Sequence, residues 1–102
     1  MAIIIIYVTY PNMEEAQKIV NNLIKKKLIS CSNFFPVKSS FWWKGKIDNS
    51  DEIVSVIKTR KQNWKKVKSE IKKMHSYETP CIIKIEVEAN EEFESWVKDE
   101  TK

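Results

Sequence analysis

The sequence predicts an α+β fold, a four-stranded and mainly antiparallel sheet with two helices on one face and an extra C-terminal helix. Three observations carry this. Hydrophobic periodicity alternates between strand-like and helix-like in the order β-α-β-β-α-β, followed by one more helical stretch. One glycine and three prolines leave little chain for irregular loops. Hydrophobic residues make up 42% of the 102, with four Trp, four Phe and three Tyr, enough for the core of one domain over 1–102 and too many for a disordered chain. Right-handed crossovers then select the ferredoxin-like split βαβ arrangement over its mirror image.

Residues 2–10 form a continuous apolar run rich in β-branched side chains, as a central strand covered on both faces requires. The run has no basic leader or cleavage pattern and is too short to span a membrane, so it is expected to be a strand and not a signal. Asn12, followed three residues later by Glu15, is an N-cap with a capping-box partner. Ala16, Ile19, Val20, Leu23 and Ile24 then recur at helical spacing. Leu28 to Lys44 reads as extended, with Pro36 confining it to an edge or a bulge. Gly45 suits a hairpin turn, and Asp48–Asp51 is either a loop or an irregular part of a long hairpin. Ile53–Thr59 is strongly β-forming.

Asn63 is positioned to cap a second helix carrying Trp64, Val67, Ile71 and Met74 on one face, which ends near His75 because Thr79 precedes Pro80. Cys81–Glu88 reads as a half-buried strand. Asn90 caps a final helix with Phe93, Trp96 and Val97. Helices on one side leave the other sheet face bare, and Phe34, Phe35, Phe41, Trp42 and Trp43 add apolar surface on a protruding hairpin. Surface of that kind marks a partner, and self-association is the expectation.

The net charge of +4 is unevenly spread. Lys58–Lys73 is strongly basic, whereas Glu86–Glu100 is acidic. A basic patch suits nucleic acid, but no recognition motif or aromatic-interleaved RNA signature accompanies it, so a solvated lysine face is expected and no nucleic-acid partner. Cys31 and Cys81 form neither a CxxC pair nor a disulfide framework, which fits the cytoplasm. Cys31 is open to two readings, a small buried hydrophobe or a soft metal ligand. The lone His75 either caps the helix, packs into the core, or presents its imidazole at a cleft. A thiolate, base and electrostatic clamp exist on paper in Cys31, His75 and Lys58. Nothing places a base against the nucleophile, so no catalytic residue and no enzyme is expected.

Several motifs in order carry a resemblance over essentially the whole chain. They are Tyr7-Val8-Thr9-Tyr10-Pro11 with Glu15-Ala16, Leu28-Ile29-Ser30-Cys31-Ser32-Asn33, Ser40-Phe41-Trp42-Trp43-Lys44-Gly45-Lys46-Ile47, Glu52, Lys58-Thr59, His75-Ser76-Tyr77-Glu78-Thr79-Pro80 and Trp96. Together they resemble the CutA divalent-cation tolerance proteins. The resemblance implies a homotrimer similar in architecture to the PII signalling proteins, a cytoplasmic setting, a part in copper tolerance and no obligatory cofactor. It also implies a recurrent cluster at a cleft between subunits. Cys31 and His75 would be its metal ligands, for copper or other divalent cations, while Trp43, Glu52, Lys58, Thr59 and Tyr77 would line the cleft. Ser76, Thr79 and the Phe41-Trp42 pair depart from the family pattern around His75, Tyr77 and the hairpin. A second reading, by fold analogy alone, is a PII-like signalling trimer that takes a small anion in that cleft.

Overall fold

A computed structural model describes residues 3–102; Ala2, expected in the first strand, lies outside the described residues. The chain forms β1 (Ile3–Tyr10), α1 (Met13–Lys25), β2 (Cys31–Trp43), β3 (Lys46–Arg60), a 3-10 turn over Lys61–Asn63, α2 (Trp64–Met74), β4 (Ile82–Val87) and α3 (Glu91–Asp99). The sheet order is β2-β3-β1-β4, with every neighbouring pair antiparallel. This is the expected split βαβ arrangement with its extra helix.

Alternation along β1 explains how the layers form. Ile4, Ile6, Val8 and Tyr10 are fully buried and pack against Ala16, Ile19, Val20 and Leu23 of α1 and Val67 and Ile71 of α2. Burying each large aliphatic side chain contributes about 1.5–3 kcal/mol relative to leaving it in water. Ile5, Tyr7 and Thr9 point to the opposite, open face and are only half-buried. Strand register carries the same division across the sheet. Glu52, Val54 and Lys58 on β3, and Cys31 on β2, belong to the open face.

Local chemistry explains the element ends, with four corrections to the sequence reading. Asn12 Oδ1 accepts from the Glu15 N–H at 2.8 Å, as an N-cap should. The Glu15 carboxylate does not complete a capping box; it accepts from the Ser76 N–H at 3.1 Å instead. Asn63 makes no cap bond, because its buried Nδ2 donates to the Leu28 carbonyl at 3.0 Å. Asn90 makes none either, its Nδ2 donating to Glu92 Oε1 at 3.3 Å. Asp48–Asp51 is a regular part of β3, paired with Lys38–Phe41. Lys44 and Gly45 both have positive φ (49° and 80°), the signature of a two-residue turn whose twist matches its strands.

α1 ends in a Schellman motif, with the Leu28 N–H donating to Leu23 O at 3.0 Å and the Lys27 N–H to Ile24 O at 2.9 Å. Lys27 occupies the left-handed position at φ 59°, where glycine is the unstrained choice. Lys27→Gly is therefore expected to raise stability by about 0.5–1 kcal/mol in urea unfolding at fixed protein concentration. A decrease would show that the lysine side chain outweighs the backbone strain.

Because β3 is much longer than β1, the β2–β3 hairpin runs beyond the helices, and the molecule measures 44 × 23 × 21 Å. At its tip Trp42 is 73% exposed and Ile47 66%; the two pair across the strands. Phe41 and Trp43 project from the other side of the same ribbon. At the far sheet edge Ile83 and Ile85 are exposed on the open face.

Candidate functional site

The segment from His75 to Cys81 wraps the end of the sheet, carrying the chain from the helix layer to β4. His75 starts it. Its backbone N–H closes α2 onto Ile71 O at 2.9 Å, so it is the helix C-cap, while its ring is completely buried. Nε2 lies 2.7 Å from the Thr9 carbonyl and must donate to it; Nδ1 accepts the Tyr77 N–H at 3.1 Å. The ring stacks on Tyr10 at 5.3 Å between centroids and meets Tyr77 at 4.8 Å. Both nitrogens are committed to holding the wrap in place. The Glu15 carboxylate, 3.5 Å from Nδ1, closes the other side.

Tyr77 reaches past the sheet end to the open face, where its hydroxyl donates to Glu52 Oε2 at 2.6 Å. Glu52 is only 8% exposed, and among the described residues no Lys, Arg or His forms an ion pair with it. Its carboxylate is held by that one neutral donor, and it acts on its neighbours. Burial, then the Glu52 carboxylate and the more distant Glu15, hold the Tyr77 phenol well above the ordinary tyrosine range. Burial also pushes the Cys81 thiol up, with Glu52 adding and a hydrogen bond from Thr9 opposing. Behind them, burial lifts the Tyr10 phenol to about 12, although its 2.7 Å hydrogen bond with Ser55 works the other way.

These groups form one wall of a cleft of about 730 Å³, within the range of small-ligand sites. The hairpin residues Phe41, Trp42 and Trp43 belong to the same lining, together with Tyr7, Thr9, Asp48, Ser50, Glu78 and Thr79. Every charged residue in the lining is a carboxylate.

Of the residues expected from the sequence, Glu52 and Tyr77 meet here, and Trp43 lines the far end of the same cleft, paired with Lys46 six residues along β3 from Glu52. His75 stands behind Tyr77 as its support. Thr59 is interior on the helix face, donating to the Leu28 carbonyl at 2.6 Å, and does not reach the cleft. Lys58 turns its ammonium to Asn33 Oδ1 and does not line the cleft either. Cys31 pairs with Lys58, six residues along β3 from Glu52, which puts it about 20 Å away at the strand rise of ~3.3 Å per residue. Cys31 and His75 therefore do not converge on one ion within a single chain. Among the described residues no group of three or more His, Cys, Asp or Glu is placed to hold a metal ion. Cys81, at the start of the last strand, also lines the cleft. Continuing the Val8–Ile82 pairing by one residue sets it beside Thr9, on the open face, and the alternation of that strand was the available signal.

The family profile described as CutA1 divalent ion tolerance protein matches residues 4–100. The chain belongs to the CutA1 family. Among the relatives of this CutA1 chain, the divalent-cation tolerance protein CutA of Archaeoglobus fulgidus is 48% identical over 97 residues, covering 94% of each chain. That of Pyrococcus horikoshii is 41% identical over 100 residues, covering 97% of this chain and 98% of the relative. Solved CutA1 structures share the fold. The periplasmic divalent cation tolerance protein CutA from Archaeoglobus fulgidus superposes with a TM-score of 0.95 at 44% identity, over 98% of this chain and 99% of that one. CutA1 from Oryza sativa gives 0.95 at 31% identity, over 100% and 95%. In this CutA1 chain no helix among the described residues is long and apolar enough to cross a membrane.

Proposed function

We propose that the chain contributes to divalent-cation tolerance, copper among the ions, as a cytoplasmic homotrimer that holds cations at modest affinity in clefts between its copies. The observation that carries this is Glu52, a buried carboxylate without a cationic partner among the described residues, facing a cleft whose other charged groups are Asp48 and Glu78. The names of the relatives as divalent-cation tolerance proteins support the same role. Two free cysteines fit a reducing compartment. Cys31 is partly exposed on the open sheet face, and three-fold assembly supplies the multiplicity of sulfur ligands that one chain lacks, which suits Cu(I). The role is one of binding, with no catalytic residue.

The anion reading is the weaker one on this geometry. Lys58, its expected clamp, is turned to Asn33, and an anion would meet three carboxylates.

Titration calorimetry with Zn(II), Cu(II) and, under reducing conditions, Cu(I) tests the proposal. Wild type is expected to bind with a Kd of about 1 μM, roughly 8 kcal/mol of binding free energy. Glu52→Gln should weaken Zn(II) and Cu(II) at least about tenfold, a loss of ~1.4 kcal/mol. Cys31→Ser should lose Cu(I) selectively, and His75→Ala should act only by loosening Tyr77. Identical isotherms for wild type and all three variants would remove these residues from any metal site.

A further inference from the structure

We propose that the groove between the end of α1 and the outer face of α2 is a docking surface for a linear inorganic polyphosphate chain. Lys65, Lys66, Lys72 and Lys73 are exposed on α2, and Lys25, Lys26 and Lys27 are exposed where α1 ends. Helical spacing puts Lys66, Ser69 and Lys73 on one stripe. With Lys65, Leu28 and Glu70 they line a groove of about 380 Å³.

Glu70 draws the lysines of two helices together. Its Oε1 accepts from Lys26 Nζ at 2.6 Å, across the helix pair, and its Oε2 from Lys73 Nζ at 3.3 Å. Those two ammoniums, Lys26 foremost, hold the Glu70 carboxyl below the usual carboxylate range. It is the only acid on α2, and one carboxylate cannot neutralise Lys26, Lys65, Lys66 and Lys73. The groove stays positive, while the chain's acids gather from Glu86 to Glu100 on β4 and α3.

The rest of the lining decides which polyanion fits. It holds no aromatic ring on which nucleobases stack and no arginine fork for their edges. Lysine ammoniums are point charges that meet phosphate oxygens with little directional demand. Exposed ammoniums each contribute little to a single phosphate, whereas a chain sums its contacts. Lys65 to Lys73 spans about 12 Å at the helical rise, room for several consecutive phosphates. What matches this surface is closely repeated negative charge without bases.

Fluorescence anisotropy of end-labelled polyphosphate on the assembled protein tests this, with EDTA present so that no metal bridges the chain to the acidic cleft. Binding is expected to saturate, and log K to fall against log salt with a slope of about −2 to −3, as three or four phosphate contacts require. Oligo(dT) and duplex DNA of equal phosphate content should compete at least about tenfold less well. Lys66→Glu should weaken binding at least about tenfold, whereas Lys98→Glu on α3, the same change in charge, should weaken it less than about twofold. Glu70→Gln should tighten binding by releasing Lys26 and Lys73, and Glu91→Gln on α3 should not. Absence of saturable binding overturns the proposal. Equal losses for Lys66→Glu and Lys98→Glu overturn it too, because net charge alone then acts. Either DNA competing as well as polyphosphate would make the face a nucleic-acid surface and refute the proposal as well.

Discussion

His75→Ala is expected to lower the unfolding free energy by about 3–4 kcal/mol, measured by urea unfolding in the presence of a chelator at fixed protein concentration. Three losses add up to this. A completely buried ring is removed from between Tyr10 and Tyr77, leaving a cavity that the surrounding strand ends cannot close. The Thr9 carbonyl loses its donor, and the Tyr77 N–H loses its acceptor. Leaving a buried polar group unmatched costs about 1–3 kcal/mol. The chelator makes the measurement decisive. A histidine whose main work is to ligate a metal would cost little once metal is withdrawn, and a loss below about 1 kcal/mol would show that the ring is not the support described above. Acrylamide quenching should also rise in the variant, because Tyr77 is freed and the aromatic wall across the cleft opens with it.

The second large effect concerns assembly. In the proposed homotrimer, replacing Trp42 and Trp43 together by glutamate is expected to leave monomers at micromolar concentration in sedimentation equilibrium, whereas Lys65→Glu leaves the mass unchanged. The reason lies in the pairing along the hairpin. Trp42 and Ile47 project from one side of the ribbon, while Phe41 and Trp43 project from the other. Neither side is covered by the chain's own helices, and such two-sided apolar surface is stable in water only against a neighbour. Buried aromatic anchors in interfaces are typically worth about 2–4 kcal/mol each, so losing two and adding two charges raises the dissociation constant by several orders of magnitude. Lys65 sits on the outer face of α2, where exposed lysines contribute solubility. An unchanged mass for the double variant would remove the hairpin as the principal contact.

The signals legible in the sequence were local ones. The apolar run of β1, the Asn12 cap, and Lys44-Gly45 at the hairpin tip each depend on neighbours within a few residues, and each took the form expected. Asn63 and Asn90 show the limit. Both stand where caps belong, but Asn63 is claimed by the Leu28 carbonyl, a partner remote in sequence. The cleft was half-legible for the same reason. Glu52 and Tyr77 meet only because β3 pairs in one register and the wrap after α2 is pinned by His75, while Trp43 stands further out along the hairpin. Lys58 and Glu52 both lie on the open face, yet strand geometry separates them, and Thr59 is turned inward by the alternation that turns Lys58 outward. The place of Cys81 in the cleft follows only from the register, which sets it beside Thr9 on the open face.

The hairpin has one more implication, for how order is acquired. From Ile53 to Lys58, β3 is flanked on both sides by other strands; from Lys46 to Glu52 it has β2 alone. A two-stranded ribbon is at best marginally stable by itself in water. Its inner half is thus anchored by the four-stranded sheet, while its outer half depends on whatever packs across it. The aromatic wall of the cleft stands on that outer half. Order in that wall therefore follows from a packing partner across the ribbon, whereas the acidic wall is fixed by the four-stranded sheet itself.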